Sequence, residues 1–215
     1  MKLYVYDHCP FCVKARMIFG IKNIPFELHI LLNDDEETPI KMIGQKMTPI
    51  LQKDDGSYMP ESMDIVHYVD TNYGEPVLIG NTNPAIAEWL KNSSSYVNKL
   101  RFPRYAQSNL AEFKTPAARA YFTRKKEASI GSFAEALQQT PQLIKQLEQD
   151  LLKLDSLIQS PEACNGKLST DDIHLFPALR GISIVKGITY PAKVDAYRKA
   201  MAKICGVNLL DNIAQ

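Results

Sequence analysis

The sequence predicts an α/β domain followed by an all-α domain, and three observations carry that expectation. The first 72 residues alternate strand and helix patterns, in the order βαβ and then αββα. Composition shifts at Gly74-Glu75-Pro76 and again at Asn81-Thr82-Asn83-Pro84, which reads as a connector. Everything after Pro84 reads as helix and turn. The expected units are residues 1–72, a linker over 73–84, and a helical domain over 85–215.

The elements follow in order. Lys2 to Tyr6 is short, aromatic and branched, a strand pattern. Val13 to Phe19 has a helix pattern, and Gly20 is its expected stop. Phe26-Glu27-Leu28-His29-Ile30 alternates as a second strand, parallel to the first because a crossover helix separates them. Pro39 to Gly44 is a short helix. Ile50-Leu51-Gln52 and Ser57-Tyr58-Met59 flank the turn Asp54-Asp55-Gly56 as a hairpin. Ser62 is the expected cap of a helix that ends near Gly74. In the helical part, Leu143, Leu147, Leu151, Leu154 and Ile158 form an apolar stripe that reads as core. Trp89 is expected to pack in the first helix there, at the interface between the units. Ser169-Thr170-Asp171-Asp172 matches a capping box with Asp in place of Glu.

Composition excludes several classes. A hydrophobic content of 45% and a charged content of 23% are those of a globular protein, and a net charge of +1 argues against a nucleic-acid binder. No stretch reaches the ~18 apolar residues that span a bilayer, and the N-terminus carries no signal-peptide pattern. The acidic run Asp34 to Glu37 and the basic run Arg124 to Lys126 read as solvated faces. Four cysteines in 215 residues are no disulfide framework, which suggests a reducing, cytoplasmic setting.

Cys9-Pro10-Phe11-Cys12 carries the chemistry. A C-x-x-C between a strand and a helix reads as a redox centre. Pro10 suits the first helical position, where its missing N–H costs nothing. Cys9 then stands at the N-cap, facing free N–H groups and the positive end of the helix dipole, which favour the nucleophilic thiolate. Cys12, on the first turn, is placed to resolve a mixed disulfide on Cys9. His8, Lys14 and Arg16 offer positive potential nearby. Half of a zinc site is the competing reading, but Cys164 and Cys205 are single and the histidines are scattered. Both outlying cysteines read as bystanders, Cys164 in an exposed turn.

Two further dipeptides stand out. Thr48-Pro49 opens the third strand; sequence alone favours a trans bond, whereas a cis bond would turn the Thr48 backbone towards the cysteines. At Glu61-Ser62 the helix start offers an anion site and a carboxylate, which fits an amino-acid head group; Ser62 as a plain cap fits equally.

Together, Cys-Pro-Phe-Cys after the first strand, Thr-Pro before the third and Glu-Ser at the next helix resemble the glutathione transferase superfamily. With two cysteines and an all-helical domain, the chain most closely resembles its bacterial glutaredoxin 2 group, and Leu168 to Ile173 is similar to the superfamily's capping-box segment. The resemblance covers the whole chain. It implies a thioredoxin-like N-terminal domain in a glutathione-transferase-like architecture. It implies a glutathione-dependent thiol–disulfide oxidoreductase acting through Cys9 and Cys12, with Pro10 and Phe11 in support. It implies that Pro49 is cis, that Thr48 holds the cysteinyl backbone of glutathione, and that Glu61 and Ser62 hold its γ-glutamyl end. Phe11 departs from the Tyr of many relatives and lacks its hydroxyl. Lys46 and Lys41 are candidates for the glycine carboxylate by charge alone. Glutathione is the expected co-substrate, with no covalently bound cofactor and no metal. Disulfide-containing or glutathionylated proteins are the expected partners of a monomer or weak dimer. The rival readings are a conjugating glutathione transferase, a dehydroascorbate reductase and a non-enzymatic iron–sulfur carrier.

Overall fold

The computed structural model describes residues 1–215. Its N-terminal part runs β1 (Lys2–Val5), α1 (Pro10–Ile21), β2 (Glu27–Ile30), α2 (Glu37–Ile43), β3 (Ile50–Gln52), β4 (Tyr58–Pro60) and α3 (Ser62–Asn72). The sheet order is β2-β1-β3-β4. β1 pairs β2 in parallel, with Leu3 opposite Leu28, and pairs β3 antiparallel, with Leu3 opposite Leu51. The hairpin sets Gln52 opposite Tyr58. The element order is the βαβ and αββα read from the sequence, and the domain is the thioredoxin-like one that the resemblance implied.

Six further α-helices follow as α4 (Pro84–Gln107), α5 (Pro116–Ile130), α6 (Phe133–Gln138), α7 (Thr140–Leu157), α8 (Thr170–Ile182) and α9 (Ala192–Cys205), with short 3₁₀ turns at Ala111–Phe113 and Asp211–Ile213. Their starts follow the sequence. Asn83 and Thr115 accept from the N–H of Ala85 and Ala118, each with proline at the first helical position. Asp172 reaches back to accept the Ser169 N–H at 2.9 Å, as a capping box requires. The α7 stripe Leu143, Leu147, Leu151 and Leu154 is buried. One apolar cluster joins Leu3 and Val5 of the sheet, through α1, to Leu175, Leu179 and Val194 of the helical part.

α1 is the element on which the two parts meet, because it packs against α3, α8 and α9. This explains a departure from the sequence reading. Gly20 does not end the helix, which continues to Ile21. A Cβ at Gly20 would stand 1.9 Å from the carbonyl oxygen of Cys205, so glycine serves the close approach of α9 rather than a stop. Three more expectations are corrected. The N-cap of α3 is Glu61, with Ser62 already inside the helix. Trp89 does stand in the first helix of the helical part, but its indole turns to α7 of that same part, its Nε1–H donating to the Asp150 carbonyl at 2.7 Å. Cys164 is buried, its N–H held by Asp172 at 2.7 Å. No helix is long and apolar enough to cross a membrane.

Candidate active site

The chain leaves β1 and turns into α1 through Asp7, His8 and Cys9. Cys9 is the N-cap (φ −74°, ψ 121°), Pro10 occupies the first helical position, and the Cys9 carbonyl accepts the Val13 N–H at 3.0 Å. Cys9 is partly buried; Cys12 is fully buried, its Sγ accepting the Tyr6 N–H at 3.3 Å. The two thiols are driven apart electronically. The Cys12 thiol, donating to the Cys9 sulfur, lowers the Cys9 pKa most; burial opposes it, and His8 and the N–H groups of Cys12 and Phe11 lower it further, to about 6. No helix N–H forms a full capping bond to that sulfur, so the amides act by proximity and alignment. Burial and then the Cys9 sulfur push the Cys12 thiol well above the ordinary cysteine range.

Of the three cations expected nearby, only part serve the sulfur. Arg16 pairs with Asp7, which Arg180 of α8 also holds at 2.9 Å. Burial opposes ionisation of Asp7, yet Arg180 and Arg16 keep its carboxyl below the usual range. Lys14 donates to His174 Nδ1 at 2.8 Å and lies 4.9 Å from the Phe11 ring centroid. His8 is buried beside Cys9, its Nδ1 2.7 Å from Glu112 Oε1.

Two cavities meet beside this centre. One, of about 240 Å³, is lined by Phe11, Met47, Thr48, Pro49, Glu61 and Ser62. The other, of about 300 Å³, holds Cys9 and His8 on one side and Tyr121, Lys125 and Lys126 of α5 on the other. Met47 and Thr48 belong to both. The Thr48-Pro49 bond is cis, and Pro10 sits on the far flank of the motif. Glu61 has φ 70°, a left-handed backbone conformation that costs a non-glycine residue on the order of 1–3 kcal/mol and is concentrated at ligand clamps. Ser62 is 6% exposed. Lys46 lines the larger cavity, donates to the Asn33 carbonyl at 2.7 Å and stands 3.7 Å from the Tyr121 ring centroid; Lys41 is exposed on α2 and lines neither.

Two features escaped the sequence reading. The basic run is not merely a solvated face, since Lys125 and Lys126 wall the cleft. Burial lowers the Lys126 pKa, and Cys9 partly restores it. The signal was the interleaving of Tyr121-Phe122 with Lys125-Lys126, four residues apart on one helix face. Glu112 left no signal, being a lone acid in a loop pattern.

Comparisons with known proteins bear on both parts of the chain. The family model described as Glutaredoxin 2, C terminal domain, matches residues 85–214, and Glutathione S-transferase, N-terminal domain, matches residues 3–77. Glutaredoxin 2 of Escherichia coli (strain K12) is 60% identical over 214 residues, covering 100% of each chain. The crystal structure of Glutaredoxin 2 from Salmonella typhimurium in complex with glutathione is 62% identical, with a TM-score of 0.98, covering 100% of this chain and 98% of that one. The glutathione transferase GSTFuA3 of Phanerochaete chrysosporium shares the fold at 17% identity, with a TM-score of 0.71 over 94% of this chain and 96% of that one.

Proposed function

Because the chain belongs to the glutaredoxin 2 family and is a glutathione-dependent thiol–disulfide oxidoreductase, we propose that Cys9 is its nucleophile, Cys12 its resolving thiol, and the groove from Ser62 to Lys46 its glutathione site. The observation that carries this reading is the opposed state of the two thiols, one lowered to about 6 and the other raised, with Cys9 lining a cavity that shares Met47 and Thr48 with the one holding Glu61 and Ser62.

Cys9 thiolate attacks the glutathione sulfur of a glutathionylated protein. The protein thiolate leaves and takes a proton, and Cys9 carries glutathione as a mixed disulfide. The γ-glutamyl end lies against Glu61 and Ser62, the carboxylate of Glu61 facing the ammonium and the helix start of α3 facing the carboxylate. The cysteinyl backbone pairs with Thr48. A tripeptide laid through Thr48 carries its glycine end into the larger cavity, where Lys46 rather than Lys41 meets the carboxylate. A second glutathione thiolate then attacks the bound glutathione sulfur, releasing oxidised glutathione and restoring the Cys9 thiolate.

A protein disulfide takes the other branch. Once Cys9 is bonded to the substrate, the anionic sulfur that helped raise the Cys12 pKa is gone. Cys12 loses its proton and attacks Cys9, forming the Cys9–Cys12 disulfide and expelling the substrate thiolate. Phe11 keeps an apolar wall at 55% exposure. In this reading residues 1–72 carry the chemistry, 73–84 connect, and 85–215 wall the cleft. A conjugating transferase is disfavoured because Cys9 stands where glutathione's own sulfur would have to be activated.

A cytoplasmic setting suits the four free thiols. The exposed large apolar side chains are spread over α1, β2, α2, β4, the connector and α7, which suits a monomer or weak dimer. Glutathione-dependent reduction of a small glutathione mixed disulfide tests the assignment. Cys9→Ser should abolish turnover. Cys12→Ser should keep this activity and lose protein-disulfide reduction; loss of both would overturn the single-cysteine branch.

A further inference from the structure

The side chain of Glu112 is 0% exposed. Its Oε1 accepts from the His8 backbone N–H at 2.8 Å and stands 2.7 Å from His8 Nδ1, and its Oε2 is buried without a partner. A carboxylate taken out of water costs several kcal/mol unless a cation or donors compensate. Its side chain's sole protein partner is the neighbour of Cys9. The rings of Tyr105, Phe113 and Phe122 enclose the His8 imidazole at centroid distances of 5.1, 5.0 and 5.1 Å. With Nδ1 committed to Glu112, the Nε2 edge is what remains for the cavity that His8 shares with Cys9.

We propose that Glu112, supplied by the helical part, is a positioning residue for the redox centre: it fixes His8 with Nδ1 protonated, so that Nε2 takes the Cys9 proton and the imidazolium stays beside the thiolate. The proton leaves Cys9 Sγ and arrives on His8 Nε2; Glu112 exchanges none, and its charge offsets the imidazolium in a dry surrounding. This rests on the reading of Cys9 as nucleophile. The other titratable groups facing Cys9 are Tyr6 just after β1, Cys12 and Lys14 from α1, Tyr105 from α4, and Tyr121, Lys125 and Lys126 from α5, with Lys46 across the cavity. None of them bonds the Glu112 side chain, so a change there isolates the pair.

The test is the pH profile of Cys9 alkylation in the full chain, read by peptide mass spectrometry rather than by turnover, alongside Glu112→Gln. Glutamine keeps the size and an acceptor for His8 and removes the charge. The midpoint should rise by about one pH unit, leaving about tenfold less thiolate on the acid side. An unchanged midpoint overturns the proposal, and so does a lower one, the result expected if Glu112 were only a negative charge near the sulfur. Should that variant fail to fold, ¹⁵N spectra of His8 in the reduced wild type decide. Both ring nitrogens protonated at neutral pH support the pair; an unprotonated Nδ1 overturns it. Loss of turnover in Cys9→Ser tests the nucleophile separately, so the two readings fail independently.

Discussion

Replacing Cys12 by alanine removes the largest single influence that lowers the Cys9 pKa, the thiol donating to the Cys9 sulfur. A hydrogen bond to a charged group is worth about 1.5–3 kcal/mol, and one pKa unit is about 1.4 kcal/mol, so the Cys9 midpoint should move from about 6 to about 7–8. At pH 6 the thiolate fraction then falls from about one half to about 1–10%. The more basic thiolate is intrinsically more nucleophilic, by about 3- to 8-fold for a Brønsted slope near 0.45. Net alkylation should therefore slow about 2- to 6-fold at pH 6 and quicken by about the intrinsic factor at pH 9. The two pH–rate curves must cross between them. Cys12→Ser, whose hydroxyl can still donate, should stay nearer the wild type. The assay is the iodoacetamide rate at Cys9, resolved by peptide mass, across that range. Curves for Cys12→Ala and wild type that coincide would refute the reasoning and leave the helix start and His8 as the sources of acidity.

Two more outcomes follow from the packing and the groove. Gly20→Ala should gain about 1 kcal/mol of helix propensity but force its Cβ against the Cys205 carbonyl, 1.9 Å away, so a net loss of about 1–2 kcal/mol and about 2–8 °C in Tm is expected by thermal denaturation; a stabilised variant would show that α9 yields freely. Ser62→Ala should weaken glutathione binding by about 1–2 kcal/mol while leaving Tm nearly unchanged, since Glu61 and not Ser62 is the N-cap of α3; calorimetry showing unchanged affinity would place the γ-glutamyl end elsewhere.

The order of strands and helices, the hairpin and the Cys9–Cys12 pair were legible in the sequence because each is a local matter. Period-two and period-3.6 patterns, Asp-Asp-Gly at the turn, Pro10 at the first helical position and the Ser169–Asp172 box act within a few residues of themselves. The resemblance of Thr48-Pro49 and Glu61-Ser62 to a known groove supplied their grouping, and the fold brings them to one cavity with Phe11. What the tertiary structure decided are pairings across long stretches of chain. Gly20 reads as a stop in any local window, and only the arrival of Cys205 makes it a contact. Lys125 and Lys126 read as solvated until α5 is laid against the cleft. His8 and Glu112 lie 104 positions apart, and neither residue type predicts the other. Charge and steric exclusion act through space, and the sequence lists neighbours only along the chain; the acidity of Cys9 begins in its own helix turn and is completed by side chains that folding carries to it.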